Sequence, residues 1–173
     1  MRWTPLKALP RRLELQLENP LVGRPAFKVG EQIFLSASLS RAFYMCCFLH
    51  EAGGTVMRLL PNPNNPNALI SAGNAIRIPD WMSPTPGFIM DATSAGTETV
   101  GCYATNTYVA DRMPALLAST SLAALKGVNS LQNIDESFDA AVGKQAHTAS
   151  RIQWLVAPKA VGVRSFVNQR MKR

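Results

Sequence analysis

Residues 42–67, "AFYMCCFLHEAGGTVMRLLPNPNNPN", contain the patterns that decide the fold. The run 42–51 is apolar on both of its alternating sides, which is typical of a strand covered on both faces. The glycines at 53–54 predict a hairpin turn, so residues 55–61 are expected to return as the neighbouring strand. The tract 61–67 contains only proline and asparagine. It predicts a stiff, irregular surface loop that ends this strand at a sheet edge.

Period-two patterns continue on both sides of this hairpin. "RRLELQLEN" alternates leucine with polar residues, and "QIFLSASLSR" sets Ile33, Leu35, Ala37 and Leu39 against serines. Further strands are predicted in "NAIRIPD", "GFIMDAT" and "TETVGCYAT". The segment "SRIQWLVAP" predicts a last strand with Trp154 in the core.

Two segments near residues 111–148 change to helical spacing. "DRMPALLASTSLAALKG" predicts one helix, with Asp111 as its N-cap and Gly127 as its end, and "NIDESFDAAVGKQAHTA" predicts a second. We therefore expect a mainly β (α+β) fold. It is an antiparallel β-sandwich over residues 13–158, with the helical pair inserted before the final strand.

The net charge of +7 is concentrated at the two ends of the chain. Residues 1–12 and 159–173 contain basic side chains and no acidic ones, whereas the body between them has a net charge of −2. We interpret the ends as solvated basic tails that can contact an acidic partner or phosphate. The body contains no motif for sequence-specific recognition of nucleic acid.

Hydropathy places the chain among globular proteins. Hydrophobic residues make up 47% of it, no window is apolar for the length that a bilayer span requires, and the first twenty residues do not resemble a signal peptide. We expect no transmembrane segment. The compartment stays open: the periplasm or cell envelope is favoured, and the cytoplasm is the alternative.

The three cysteines and two histidines do not form a recognisable catalytic or zinc motif. Cys46 and Cys47 should point to opposite faces of a strand. We favour packing roles for the cysteines, with a disulfide from Cys46 or Cys47 to Cys102 as the alternative. His147 is expected at the C-terminal end of the second helix, and a nucleophilic pair of cysteine and histidine is not expected.

Acidic residues likewise give no metal-binding pattern. Asp80, Asp91 and Glu98 lack the spacing of a calcium loop, so we expect neither a metal nor a cofactor. We predict that Glu98 satisfies backbone donors of the turn at Pro61 and Asn62. The alternative is a polar groove for a sugar or peptide.

The loop "PDWMSPTPGF" is the best sequence candidate for a contact surface. Trp81 either makes a partner contact or folds back over the end of the sandwich. The candidate ligand or interaction residues are therefore Trp81, Met82, Asn64, Asn65 and Asn67.

The order of these signals resembles a bacterial domain of unknown function of the DUF4384 type, over about residues 26–106. The resemblance is carried by Gly54, Leu60, Pro61, Asn62, Ile78, Pro79, Gly96 and Glu98. Ser94 departs from it, since many members have proline near that position. Such domains often occur at the ends of caspase-like peptidases, serine/threonine kinases and secreted or lipid-anchored proteins. The resemblance implies an accessory β-domain and supplies no catalytic residue.

We therefore expect a non-catalytic protein-interaction module that belongs to a bacterial envelope or secretion-related assembly. The alternative function is the binding of a small ligand such as a glycan or peptidoglycan.

Overall fold

The computed structural model describes residues 12–118 and 122–160. The predicted basic tails lie almost wholly outside these ranges. The described strands are β1 (Leu13–Leu17), β2 (Phe27–Lys28), β3 (Leu35–Leu39), β4 (Phe43–His50), β5 (Val56–Leu60), β6 (Leu69–Ile70), β7 (Ile76–Ile78), β8 (Gly96–Thr105) and β9 (His147–Ala157). Two helices, α1 (Pro114–Leu117) and α2 (Leu131–Val142), lie between β8 and β9.

The strands form two sheets. The small sheet has the order β1-β3-β7, and the large sheet has the order β2-β9-β8-β4-β5, with β6 paired to the start of β4. The fold is therefore the β-rich α+β class that the sequence predicts, with both helices before the last strand. One pairing is not antiparallel: the two residues of β2 run parallel to the end of β9.

Strand β4 lies inside the large sheet and is covered on both faces, which explains its continuous apolar run. Met45, Cys47 and Leu49 belong to the core between the two sheets, together with apolar residues of the small sheet. Cys46 and Phe48 point to the other face and pack under the helices. The molecule thus has three layers: the small sheet, the large sheet and a helical layer.

The first predicted helix is mostly absent. Residues 110–112 form a single 3-10 turn, α1 has four residues, and residues 119–121 lie outside the described ranges. After them, the segment 122–125 lies along β5, where the amide of Leu125 donates to the carbonyl of Val56 at 2.9 Å. The edge strand offers unpaired backbone groups, and this pairing outweighs the helical spacing of the leucines.

The second helix is confirmed, but its boundaries are wrong at both ends. It begins at Leu131 and ends at Val142, and Gly143 follows with a φ of +86°. Glycine adopts this left-handed backbone without the steric cost of a Cβ, so the helix stops there. His147 is consequently the first residue of β9 and does not lie at a helix end.

The segment 88–91 also differs from its prediction, since it forms no extended strand. It runs beside residues 31–33 through single contacts: the amide of Ile33 donates to the carbonyl of Met90 at 2.8 Å, and Gln32 bridges Asp91. Met90 is buried in the core whereas Ile89 is 63% exposed. The predicted alternation of buried and exposed side chains is present, but the pairing is too short to make a strand.

Candidate functional site

The proline and asparagine tract ends β5 at the edge of the large sheet, as predicted. Buried Asn62 organises it: its side-chain Nδ2 donates to the carbonyl of Leu59, and its Oδ1 accepts from the backbone amides of Asn64 and Asn65. An asparagine that bonds to nearby backbone in this way replaces the ladder contacts that the strand no longer makes. The chain then re-enters the sheet as β6.

The tract also contacts the proline-rich loop that the sequence singled out. The side-chain Nδ2 of Asn64 donates to the carbonyl of Thr85 at 2.9 Å. The structure therefore brings the two predicted contact loops together. Asn67 is exposed and Asn65 is half-buried. Nothing in this arrangement tests glycan binding, which stays a prediction for these asparagines.

Trp81 folds back onto the protein. Its ring makes an edge contact with Phe34, with centroids 5.3 Å apart, and the guanidinium of Arg77 lies 5.7 Å from its centroid. The ring therefore lies against Phe34 and Arg77, and a partner contact by Trp81 stays a prediction. Met82, next to it, is 67% exposed.

The remaining motif residues have structural contacts. Gly54 closes the β4–β5 hairpin with a φ of +94°, and its amide donates to the carbonyl of Glu51. Gly96 has a φ of +133°, and a Cβ there would lie 2.9 Å from that of Ala52, so a side chain is excluded by conformation and by space. Pro79 is buried, and its carbonyl accepts from the amide of Trp81.

Glu98 is buried, but its partner differs from the predicted one. Its Oε2 accepts from the indole N–H of Trp154 at 2.9 Å, whereas no described contact joins it to Pro61 or Asn62. Its other oxygen, Oε1, has no hydrogen-bond partner among the described residues. Burial raises the pKa of this carboxyl, the charge of Glu51 adds to the increase, and the Trp154 hydrogen bond and the Thr93 backbone oppose it.

The residue that satisfies the carbonyl of Pro61 is Arg58, which sequence reasoning missed. Arg58 is only 3% exposed on β5; its Nε donates to the carbonyl of Pro61 at 3.0 Å, and its Nη1 donates to that of Leu116 at 2.6 Å. It therefore ties the end of α1 to the start of the tract. A lone arginine in a strand pattern suggests exposure, so no sequence signal could have placed it inside.

The cysteines correct the favoured prediction, because Cys47 and Cys102 form a disulfide between the adjacent strands β4 and β8. Cys46 is a free, buried thiol on the opposite face. Burial raises the pKa of Cys46 to about 12, so the thiolate that a nucleophile requires is disfavoured. The opposite orientation of the neighbouring cysteines is confirmed.

The helical layer is joined to the large sheet by a polar network. The hydroxyl of Tyr103 on β8 donates to Asp135 of α2, and Asp135 is also paired with Arg151 of β9. One turn further along α2, Asp139 bonds to Nε2 of His147 at 2.9 Å. Burial and the neighbouring Asp135 raise the pKa of Tyr103 well above its ordinary value. These contacts fix the helix, and His147 is used in them.

A groove opens beside β5 at the edge of the large sheet, and we call it the mouth groove. It has a volume of about 370 Å³ and lies between β4, β5 and the segment 88–93. Most of its lining is apolar, and three polar residues stand among these side chains. The lining residues are Leu49, Glu51, Met57, Leu59, Phe88, Ile89, Met90, Asp91, Thr93 and Leu122.

Sequence reasoning placed the contact surface on two loops, residues 61–75 and 80–87, and missed the mouth groove, whose lining comes from residues before and after these loops. The alternation in "GFIMDAT" was the available signal, because it set Ile89 against buried Met90. Within residues 12–118 and 122–160, no cluster of three histidine, cysteine or acidic side chains could hold a metal ion. In the same ranges no helix is long and apolar enough to cross a bilayer.

Two comparisons with known proteins bear on this chain. No curated protein matches it. Residues 26–108, from just before β2 to just after β8, match the family described as a domain of unknown function, DUF4384. The match covers the whole lining of the mouth groove except Leu122. It confirms the resemblance carried by the motif residues: this segment of the chain is similar to the DUF4384 family.

Proposed function

We propose that this domain is a non-catalytic protein-interaction module of an oxidising compartment, the periplasm or cell envelope, where it belongs to a larger assembly. The observation that carries the proposal is the mouth groove. Ile89 exposes 63% of its surface at the rim of an apolar cleft. Solvent-exposed apolar clefts are characteristic of surfaces that bind other proteins or ligands.

The composition of the groove favours a polypeptide partner. Met57 and Met90 line it, and methionine adapts its flexible thioether to apolar surfaces of different shapes. The framework beneath is fixed, because Leu49 and Leu59 belong to the core between the sheets. A rigid floor with adaptable walls suits the apolar side chain of a docked segment.

The disulfide supports the choice of compartment. Cys47 and Cys102 are both inaccessible to solvent within the core between the sheets. Disulfides of this kind form and persist in oxidising compartments and are rare in the cytosol. The oxidised bond should therefore be present in the protein isolated from its own host. Alkylation before and after reduction measures this, and a fully reduced pair in that material contradicts the assignment.

Site-specific photo-crosslinking tests the interaction. A photoreactive phenylalanine analogue replaces Ile89 in one variant and Val22, which is 84% exposed on a distant loop, in the matched control. In the native host we expect a covalent adduct between the Ile89 variant and one defined protein, and none from the Val22 variant. Adducts from neither position, or the same adducts from both, would refute the proposal.

A further inference from the structure

The charged groups of the mouth groove are of one sign. Glu51 and Asp91 line it, and no lysine, arginine or histidine does. Four ion pairs are found in residues 12–118 and 122–160, and none of them includes either carboxylate. Glu51 accepts a hydrogen bond from the Thr93 hydroxyl at 3.3 Å, which leaves its charge in place. The groove therefore combines an apolar wall with uncompensated negative charge.

Both carboxylates are held on fixed backbone. Glu51 begins the β4–β5 hairpin turn, where its amide donates to the carbonyl of Thr55 at 2.9 Å. Asp91 lies between Met90 and Ala92, both buried, and bridges Gln32. Charges held in this way lose little freedom when a partner binds, so they can select an opposite charge.

A third carboxyl group lies close to Thr93 and Glu51 of the groove. Glu98 is buried near Thr93 and within electrostatic reach of Glu51, and its Oε1 lacks a hydrogen-bond partner among the described residues. A cation held beside Glu51 would reduce the repulsion between the two carboxylates. When Glu98 is ionised, its charge therefore favours the binding of a positive group together with the exposed carboxylates.

From these contacts we propose that the mouth groove binds an extended segment of a partner protein that carries an apolar anchor side chain with a lysine or arginine close beside it. The anchor contacts Met57, Phe88 and Ile89, and the basic side chain pairs with Glu51 and Asp91. The inference rests on the proposed interaction function and specifies the chemistry of the partner. The chain's own ends are also basic, so an intramolecular occupant is an alternative outcome of the test.

The probe is a phage-displayed library of random 12-residue peptides, selected on the intact chain and counter-selected on the Ile89→Asp variant. We expect the retained peptides to carry lysine or arginine within a few positions of a large apolar residue. The double variant Glu51→Lys, Asp91→Lys should weaken the best peptide by roughly tenfold or more and should select acidic residues instead. The isosteric pair Glu51→Gln, Asp91→Asn should weaken binding without reversing the preference.

Three outcomes of the peptide experiment would overturn the inference. One is a retained set without enrichment of basic residues, another is an affinity that charge reversal leaves unchanged, and the third is the absence of any peptide that depends on Ile89. A photo-crosslink from position 89 to the chain's own ends would also overturn it. An intermolecular adduct at position 89 whose crosslinked segment lacks a basic residue would refute this inference alone and leave the interaction function standing.

Discussion

The two faces of β4 are held in different ways. On the inner face, Met45, Cys47 and Leu49 are almost without solvent exposure, and the cross-link to β8 is covalent. On the outer face, Cys46 and Phe48 pack under a helical layer whose borders depend on directed polar contacts, such as those of Arg58. The two faces of one strand are therefore buried by different kinds of contact. The stability of the inner face should change little with pH and salt, because it rests on apolar packing and a disulfide. The polar contacts at the borders of the helical layer should be more sensitive to both.

The largest effect is expected from Phe138→Ala in the helical layer. The ring is fully buried and stacks on Tyr103 with centroids 4.5 Å apart, so its loss leaves a cavity between α2 and the large sheet. Truncation of a buried phenylalanine costs about 3–5 kcal/mol of stability. Urea unfolding measures the change. Leu155→Ala, at a position 51% exposed, is the control and should change the free energy of unfolding by less than about 0.5 kcal/mol.

Removal of the disulfide tests the inner face. The double variant Cys47→Ala, Cys102→Ala frees a loop closed over a separation of 55 residues. We expect a loss of about 2–5 kcal/mol in the free energy of unfolding, because the cross-link restricts the unfolded chain. Cys46→Ala on the other face is the control and should respond to reductant as the wild type does. Equal stabilities of the oxidised and reduced wild-type protein would show that the bond does not hold this face.

Arg58→Met examines the border of the helical layer. The substitution keeps an unbranched apolar stem but leaves the carbonyls of Pro61 and Leu116 without their donor. A buried polar group that loses its partner costs about 1–3 kcal/mol. Thermal unfolding should report this loss, while exposed Arg112→Met should be nearly neutral. If Arg58→Met is as stable as the wild type, water replaces the guanidinium and the tie between α1 and the tract is dispensable.

The smallest effect concerns Glu98 and depends on pH. Its folded-state pKa is raised by burial, so its favourable contribution is complete below the unfolded-state pKa and is lost as pH rises through the folded-state value. Glu98→Gln keeps an acceptor for Trp154 and cannot ionise. It should raise the melting temperature at pH 7, and the gain should vanish below about pH 4. Glu136→Gln, exposed on α2, should show no such pH dependence.

Much of the fold could be predicted from the sequence because burial imposes periodicity. The leucines of β1 and the apolar positions of β3 alternate, and residues 42–51 are apolar on both sides because both faces are covered. Where backbone pairing decided the structure, prediction failed. Leu125 has helical spacing but pairs with β5. The two residues of β2, near the start of the domain sequence, pair with the end of β9, which lies near its end.

The site was harder to predict than the fold. The mouth groove is made by residues from β4, β5 and the segment 88–93, and spacing along the chain cannot show that these segments meet around an open cleft. Arg58 illustrates the same limit, because its burial depends on α1, which contacts it from 58 residues away. Glu98 was identified as a buried structural carboxylate, but its partner Trp154 lies 56 residues further along.

The position of the neighbouring cysteines has a consequence for folding in the cell. Cys47 faces Cys102 across the β4–β8 ladder, while Cys46 faces the helices. A slip of one residue between these strands would place Cys46 opposite Cys102 and would turn every side chain of β4 to the wrong layer. The bond between Cys47 and Cys102 therefore fixes the alignment that puts each apolar side chain of β4 on its proper side.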